Sequence, residues 1–252
     1  MLSLARRSKL QRAINAYRAH FSHDRKKQVD KPGRLRSIDG FLADVLEYAP
    51  MTEIRTGQRT GDIRADRLVQ VRGVRQFLVM VIAMAAMDRD ERVRRAVQCG
   101  AEEGVDWVLL TDGREFDLYR VRSIDPAEAR LVFSIDLRDA DQDGTDADVL
   151  QYLHRNAAAY RGLEILWKKT IAMDPQSISN LISSTPVINY LQRALRIRYK
   201  SVFTKEEVLR SVQHVLKVAV PRNEDPQRTS NGSGAAGSNT APGDPLRVRS
   251  TR

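Results

Sequence analysis

Cysteine, long apolar runs and an apolar leader are what this sequence has least of. Its single cysteine, Cys99, excludes an internal disulfide, which fits a reducing compartment and predicts a cytoplasmic protein. The longest apolar run, Phe77–Met87, is well short of the roughly 20 residues that a membrane-spanning helix needs. The opening residues, MLSLARRS, lead into no apolar core, so we expect neither export nor a membrane partner.

Two common ligand-binding motifs are also missing. The segment TGQRTGD, Thr56–Asp62, contains glycine but lacks the spacing and the Lys-Ser/Thr ending of a phosphate-binding loop. His20 and His23 are three residues apart, but no cysteine or further histidine nearby completes a metal site. We interpret both segments as structural.

Basic residues are abundant and unevenly distributed. The formal net charge is +10, and residues 1 to 37 hold eleven Lys and Arg against two Asp, a net of +9. Residues 222 to 252 carry +2, which leaves −1 for the remainder. A near-neutral body with a basic arm predicts binding to a phosphate backbone, of DNA or another nucleic acid. The residues expected to contact it are Arg6, Arg7, Lys9, Arg12, Arg18, Arg25, Lys26, Lys27, Arg34 and Arg36.

The arm begins with a predicted helix, Ser3–Phe21. Ser3 can cap it, and Leu10, Ile14 and Tyr17 fall near one face, opposite a face with several arginines. This pattern is typical of a helix that lies along nucleic acid or an anionic surface. It is equally typical of a helix docked on a core with its charged face in solvent.

Strand and helix periodicities alternate between Leu68 and Asp136. Short apolar runs, one of them leading into a Gly73 turn, predict buried strands, and a charged segment with apolar residues at helical spacing predicts a helix. The dipeptide Asp112-Gly113 tolerates the positive φ angles of a tight hairpin turn. The predicted strands are Leu68–Val71, Phe77–Met84, the two halves of Trp107–Val121, and Leu131–Ile135, with a helix over Asp88–Glu103. The order predicts an α/β core.

This order resembles a known nuclease family. An apolar strand, a helix ending in Gly104-Val105-Asp106-Trp107 and the run LLTDGREFDLY are similar to the N-terminal nuclease domain of type I restriction enzyme R subunits, a branch of the PD-(D/E)XK nuclease fold. The resemblance covers roughly Phe41 to Ala219. It implies an α/β fold with a mixed β-sheet of restriction-endonuclease-like type, flanked by helices and followed by a C-terminal helical region.

The family's catalytic residues are only partly present. The resemblance implies an Asp on one strand and an E-x-K pair on the next, which together bind Mg²⁺ and the attacking water. Asp66 matches the Asp, but Met80 and Ile82 occupy the Glu and Lys positions, and neither side chain offers a hard oxygen or an ammonium group. We therefore expect a retained fold whose nuclease chemistry is lost, and which binds DNA or a DNA-associated partner.

Two alternatives stay open. The chain would be an active Mg²⁺-dependent endonuclease if its catalytic groups had migrated, for instance to Glu53, Asp62 and Asp66 with Arg75 in place of the Lys. It would instead be a non-enzymatic assembly protein if the sheet served only as a scaffold for a protein partner.

An acidic loop offers a second metal hypothesis. Asp139, Asp141 and Asp143, followed by Gly144, match the first half of an EF-hand calcium loop. The second half fails, because Leu150 stands where the loop needs a bidentate Glu. We interpret the loop as a surface segment that precedes a helix, with weak calcium binding as the alternative.

The remainder of the chain predicts helices and then a polar tail. Helical patterns cover 146–159, 162–171, 177–182, 186–199 and 204–218, and Arg193, Arg196, Arg198 and Lys200 form a local basic cluster. From Pro221 the chain is rich in Pro, Ser, Gly and Asn, a composition that predicts disorder. The expected segments are a basic helix and connector (1–37), an α/β core (38–138), a helical region (139–220) and a disordered tail (221–252).

Overall fold

The computed structural model describes residues 2–22, 30–57, 59–60, 63–83, 87–122, 127–138 and 144–219. Packing divides the chain into two compact units, Met1–Ile178 and Ser179–Arg252. The four segments expected from the sequence stay a prediction, and the tail from 221 onward lies outside the described residues. No helix within those described ranges is long and apolar enough to cross a membrane.

The first unit combines helices and strands, and the described part of the second is helical. The helices are α1 (Leu4–Ser22), α2 (Lys31–Gly40, continued by a π-helical turn over Phe41–Val45), α3 (Arg89–Glu103), α4 (Thr145–Leu150), α5 (Arg155–Ala158), α6 (Gly162–Ala172), α7 (Pro175–Ile182), α8 (Thr185–Tyr199) and α9 (Lys205–Ala219). The strands are β1 (Ile54–Thr56), β2 (Arg59–Thr60), β3 (Ile63–Arg64), β4 (Arg67–Val71), β5 (Val74–Val81), β6 (Trp107–Thr111), β7 (Glu115–Arg122) and β8 (Glu128–Asp136).

One mixed sheet forms the centre of the first unit. Its strand order is β1-β4-β5-β6-β7-β8, and β2 pairs only with β3. The β1-β4-β5 and β6-β7-β8 sets are antiparallel, whereas β5 and β6 are parallel. Parallel neighbours need a crossover connection, and α3 provides it. The predicted mixed α/β sheet flanked by helices is therefore confirmed.

Both faces of the sheet are covered, because alternate side chains of β5 enter two different clusters. Phe77, Val79 and Val81 join a cluster that includes buried residues of α1, α2 and α4. Leu78, Met80 and Ile82 join a second cluster with Ala96 and Cys99 of α3. A central strand buried on both faces explains why Phe77–Met84 is a continuous apolar run rather than an alternating one.

The start of α2 differs from the prediction. The pair Pro32-Gly33 predicts a break in regular structure, with the next helix beginning at Ser37. In the structure α2 begins at Lys31 and includes the pair. The Asp30 carboxylate caps it by accepting the Gly33 N–H at 2.9 Å. Proline is tolerated here because the first N–H groups of a helix have no intrahelical acceptor.

The predicted hairpin at Asp112-Gly113 is present. Gly113 has φ +96°, the left-handed region that a side chain disfavours. The Asp112 carboxylate accepts the N–H groups of Arg114 and Glu115 at 2.8 and 2.9 Å, which fixes the turn. Because β6 and β7 are held by this turn, their register places Leu110 opposite Asp117.

In the second unit α8 and α9 pack together. Ile188 of α8 and Val208 of α9 are buried, and the outer faces of both helices are exposed. The capping box predicted at the start of α9 is confirmed, since Glu207 accepts the Thr204 N–H at 2.7 Å and donates its own N–H to the Thr204 hydroxyl at 3.2 Å. Lys200, with φ +52°, ends α8.

Candidate functional site

Asp66 lies where the resemblance places a catalytic carboxylate, at the start of β4 beside the end of β5. Its backbone N–H donates to the Val79 carbonyl at 2.8 Å, and the next residue, Arg67, is the register partner of Val79. Oδ2 accepts the Val81 N–H at 2.7 Å, and Oδ1 lies 3.0 Å from Nζ of Lys31. Both carboxylate oxygens are therefore engaged by the protein.

Lys31 is a partner that sequence reasoning missed. It is the first residue of α2, and the Asp30 cap that starts this helix also sets the position of the Lys31 side chain. Lys31 is half exposed, whereas the Asp66 side chain is 10% exposed. The sequence carries no signal for the pair, because the two residues are distant in the chain and only the packing of α2 on the sheet brings them together.

Met80 and Ile82 are buried under α3, with exposed fractions of 4% and 8%. They share a sheet face with each other and pack in the cluster that contains Ala96 and Cys99. In an active nuclease of the resembled family, the residue at position 80 would share a metal ion with Asp66. Position 80 here holds a thioether that packs in an apolar cluster.

The residues at this position do not fit Mg²⁺. Magnesium requires several oxygen ligands in octahedral geometry. Met80 and Ile82 offer none, and Lys31 already neutralises the one carboxylate, Asp66. Among the residues that the structure describes, no group of three or more His, Cys, Asp or Glu could hold a metal ion.

The residues proposed for a migrated active site are not brought together. Glu53 binds Arg155, and its peptide group pairs with Gln70, so it lies at the far end of β4 from Asp66. Four residues of strand separate the two ends, about 13 Å at the usual rise. Arg75 is engaged elsewhere, with Nη1 donating to the Glu103 carbonyl at 2.8 Å. Asp62 lies outside the described residues.

Several predicted ligands also lie outside the described residues. These are the acidic loop residues Asp139, Asp141 and Asp143, the connector residues Arg25, Lys26 and Lys27, and His23. The calcium hypothesis and this part of the basic arm stay predictions.

Three basic residues of α1 are paired with acids of the first unit. Arg7 pairs with Asp148, Lys9 Nζ lies 2.6 Å from Glu47, and Arg18 Nη2 lies 2.5 Å from Asp146. The hydrogen bond from Lys9 lowers the pKa of Glu47. Burial acts in the opposite direction, but His154 and the nearby cations add to the lowering. These pairs reduce the positive charge that the helix can offer to a polyanion.

The other predicted arm residues differ in exposure. Arg6, Arg12 and Arg36 are exposed and have no ion pair within the described ranges. Arg34 is partly buried, and its Nε is enclosed without a hydrogen-bond acceptor in the described structure. The helix α1 itself is docked, because Leu10, Ile14 and Tyr17 are buried in the core. It combines a buried apolar face with a few free cations.

Charge is segregated more strongly than the whole-chain value indicates. Residues 38–178 contain nineteen Lys and Arg against twenty-five Asp and Glu, a net of −6. Residues 179–219 contain seven against two, a net of +5. The positive segment at residues 1–37 therefore joins an acidic domain, whereas the second unit keeps its own excess of positive charge.

Four cations of the second unit are close together at the carboxyl-terminal half of α8 and its C-cap. We call Arg193, Arg196, Arg198 and Lys200 the α8 cluster. All four are exposed, and none has an ion pair in the described part of the chain. Tyr190, Arg193, Ile197 and Lys200 follow a spacing of three, four and three residues, which places them on one helix face. Tyr190 and Ile197 are 70% and 71% exposed on that face.

A buried ion pair under α3 was also missed by sequence reasoning. Arg92 Nη1 lies 3.0 Å from Oδ2 of Asp117, whose side chain is 3% exposed. The Asp117 Oδ1 atom is buried and has no hydrogen-bond partner in the described structure. Arg92 also lies 3.6 Å from Glu115. The pair anchors the first turns of α3 to β7.

Cys99 is buried in α3, as the sequence predicts. Burial raises its pKa to about 12, and Glu103, Glu102 and Asp66 add to the shift. A thiol with this pKa is protonated at neutral pH, so it is a packing residue and not a nucleophile.

Comparison of the chain with family models, with curated proteins and with solved structures finds no significant match.

Proposed function

We propose that this chain is a DNA-binding protein with a restriction-endonuclease-like fold whose cutting centre has been replaced by an ion pair. The observation that carries the proposal is the position of Asp66. A carboxylate directly before β4, bonded to the β5 backbone, stands on the strand pair where a nuclease of this fold would bind its metal. Lys31 now supplies the positive charge that a metal ion would supply.

The order of elements supports the same fold type. A helix precedes three antiparallel strands, α3 crosses over, and β6 returns parallel to β5. This is the arrangement that the resemblance implies, with Asp66 and Met80 on adjacent strands. The proposed loss of cutting follows from the side chains at positions 80 and 82, because no rotamer of Met or Ile provides a metal ligand or an ammonium group.

The α8 cluster is the proposed DNA contact. Binding to DNA releases the counterions condensed on its phosphates when protein cations neutralise them, and a cation already paired with an acid does so less well. The cluster offers four cations that have no ion pair among the described residues, of which Arg193 and Lys200 share a helix face with Tyr190. Three of the cations predicted on α1 are already paired with acids. The net positive charge of residues 179–219 would attract this unit to a polyanion, even though residues 38–178 carry a net negative charge.

Two double variants with equal charge change test the proposal. We expect Arg193→Gln/Arg196→Gln to weaken binding to a fluorescent DNA duplex and to reduce the slope of log K against log salt by about 2, since each lost phosphate contact removes about 0.9. The control, Arg7→Gln/Lys9→Gln, removes cations that are paired, so its affinity and slope should stay near those of the unmodified chain. Fluorescence anisotropy over a range of salt concentrations measures both quantities.

Two outcomes would contradict the proposal. The first is no affinity for DNA at low salt. The second is an equal loss in both double variants, which would indicate a response to net charge alone. Deleting α1 is a poor test of its part in binding, because the deletion would expose the core residues that Leu10, Ile14 and Tyr17 contact.

A further inference from the structure

A cleft of about 660 Å³ opens in the first unit, at the end of β4 opposite to Asp66. Arg72 and Arg75, in and after the turn between β4 and β5, line one side. The segment Gly104–Trp107 before β6 and the start of α6, from Arg161, line the others. This volume lies within the range of roughly 300–1,000 Å³ that is typical of small-molecule sites.

The charge of the cleft is positive because Arg120 offsets one of its two acids and three further arginines outnumber the other. Asp106 and Glu164 both pair with Arg120, at 3.3 Å for Asp106. The Arg120 guanidinium also lies 4.8 Å from the Trp107 ring centroid, which holds it in place. The three other arginines, Arg72, Arg75 and Arg161, are exposed and have no ion pair in the described ranges. Arg75 also donates one N–H, from Nη1, to the Glu103 carbonyl at 2.8 Å, but no carboxylate of the described residues offsets the charge of any of the three.

Two of these arginines occupy backbone positions that disfavour them. Arg72 has φ +52° and Arg161 has φ +58°. Arg72 is the first central residue of a two-residue hairpin turn in which Gly73 also has a positive φ, a position where Asn is the usual residue. An arginine at each position provides a long cationic side chain beside the cleft, although its backbone conformation is unfavourable for a residue with a side chain.

We propose that this cleft binds the phosphate groups of a small phosphorylated molecule through Arg72, Arg75 and Arg161. The planar guanidinium group matches two phosphate oxygens at once. The helix α6 begins in the cleft with no side-chain cap, and the amino end of a helix also favours an anion. The site goes beyond the proposed function, since it lies away from Asp66 and includes no residue of the α8 cluster.

The test measures pyrophosphate binding to the full chain by isothermal titration calorimetry, in metal-free buffer at low salt. We expect Arg72→Asn and Arg161→Asn each to weaken binding about tenfold, as the loss of one charged hydrogen-bonding partner does. Neither variant should lower Tm, because Asn is favoured at a positive φ. Arg75→Gln, at an ordinary φ, should weaken binding without any gain in stability.

Lys200→Asn is the matched control. It also removes one positive charge at a residue with φ +52°, but Lys200 does not line the cleft. We expect its affinity for pyrophosphate to equal that of the unmodified chain. The proposal is overturned if pyrophosphate does not bind at millimolar concentration, or if Lys200→Asn weakens binding as much as Arg72→Asn does.

Competition then identifies the source of the phosphate. A DNA duplex that displaces pyrophosphate, and whose own affinity falls in Arg72→Asn, assigns the cleft to a phosphodiester backbone. Pyrophosphate that stays bound in the presence of DNA assigns it to a free phosphorylated compound. Because Arg193→Gln/Arg196→Gln should change DNA affinity and not pyrophosphate affinity, failure of one proposal is distinguishable from failure of the other.

Discussion

His154 is a buried imidazole at the start of α5 whose hydrogen bonds require the neutral form. Its Nδ1 atom accepts the Asn156 N–H at 3.2 Å, and its Nε2 atom lies 3.4 Å from Glu47. Burial lowers the pKa of His154, and although Glu47 opposes this effect, the neighbouring cations Arg6 and Lys9 reinforce it. The folded chain therefore binds a proton at this site less readily than the unfolded chain does.

The pKa of His154 predicts a loss of stability in mild acid. Because its folded pKa is below the unfolded value of about 6.5, stability is complete above that value and falls as the pH drops through it. Guanidinium unfolding at about pH 7.5, 6 and 5 should show this fall in the unmodified chain and a smaller fall in His154→Gln, which keeps an acceptor but does not titrate. Equal pH dependence in the two proteins would contradict the assignment.

The carboxylates near His154 do not interfere in this pH range. For Glu53, burial raises the pKa, but hydrogen bonds from Arg155 and the Ala49 N–H outweigh it, and the net pKa is lowered. The pKa of Glu47 is lowered as well. Their stabilising contributions are therefore lost only in more acidic solution, as the pH falls through their folded pKa values.

At the scale of elements, α1 is a docked helix with a charged outer face. Tyr17 donates its hydroxyl to the Gly113 carbonyl at 2.9 Å, and its ring centroid is 5.0 Å from that of Phe41. Arg18 donates to the Leu137 carbonyl at 3.0 Å. Of the two interpretations that the sequence allows, these contacts favour docking on the core for the apolar face of the helix.

Docking predicts unequal costs for substitutions on the two faces of α1. Ile14 is fully buried, so Ile14→Ala should lower the free energy of unfolding by about 2–5 kcal/mol through lost apolar contact and a residual cavity. Arg12 is exposed, and Arg12→Ala should change it by no more than about 0.5 kcal/mol. Urea unfolding followed by circular dichroism measures both. Similar small values for the two variants would show that α1 is not part of the core.

How much of each element the sequence predicts depends on its length and on its neighbours. The strand β5 and the turn at Gly113 were predictable because a long apolar run and a dipeptide with positive φ are local signals. The strand β1 was missed because three residues, Ile54–Thr56, are too few to show a period. The start of α2 was misplaced because a Pro-Gly pair usually ends regular structure, and the Asp30 cap reverses that meaning here.

At the scale of the whole molecule, the sequence predicts only part of the candidate site. Asp66, Met80 and Ile82 were assigned only through the resemblance to a nuclease family, and that assignment stays a prediction. The pairing of Lys31 with Asp66, and of Arg18 with Asp146, could not be predicted from the sequence, since these contacts join distant segments through packing. Net charge by segment indicated a basic arm, but only the structure shows which cations are already paired.

The side chains around Asp66 that the structure describes do not form a Mg²⁺ ligand set, which predicts that Mg²⁺ neither stabilises the fold there nor supports cutting. A site whose Kd for Mg²⁺ is about a hundredfold below the Mg²⁺ concentration would stabilise the fold by about 2.7 kcal/mol. We expect about 10 mM Mg²⁺ to leave Tm unaltered and supercoiled plasmid uncut, since one carboxylate paired with Lys31 does not meet the requirement for several oxygen ligands. Thermal unfolding and plasmid electrophoresis provide the readouts.

Asp66→Ala is the informative companion to that measurement. Plasmid cutting that persists in this variant comes from a contaminant, whereas cutting or a rise in Tm that requires both Mg²⁺ and Asp66 would restore the endonuclease hypothesis. Lys31→Ala, which leaves Asp66 without its ammonium partner, should still show no response to Mg²⁺.

The single parallel neighbour pair in the described six-stranded sheet affects how the chain reaches its folded state. Hairpins β4-β5 and β6-β7 close over loops of two and three residues, 72–73 and 112–114, so little chain entropy is lost when they form. The β5-β6 ladder instead closes the long crossover that contains α3. The entropic cost of assembling the sheet is concentrated at this seam, which runs through Met80 and Leu110.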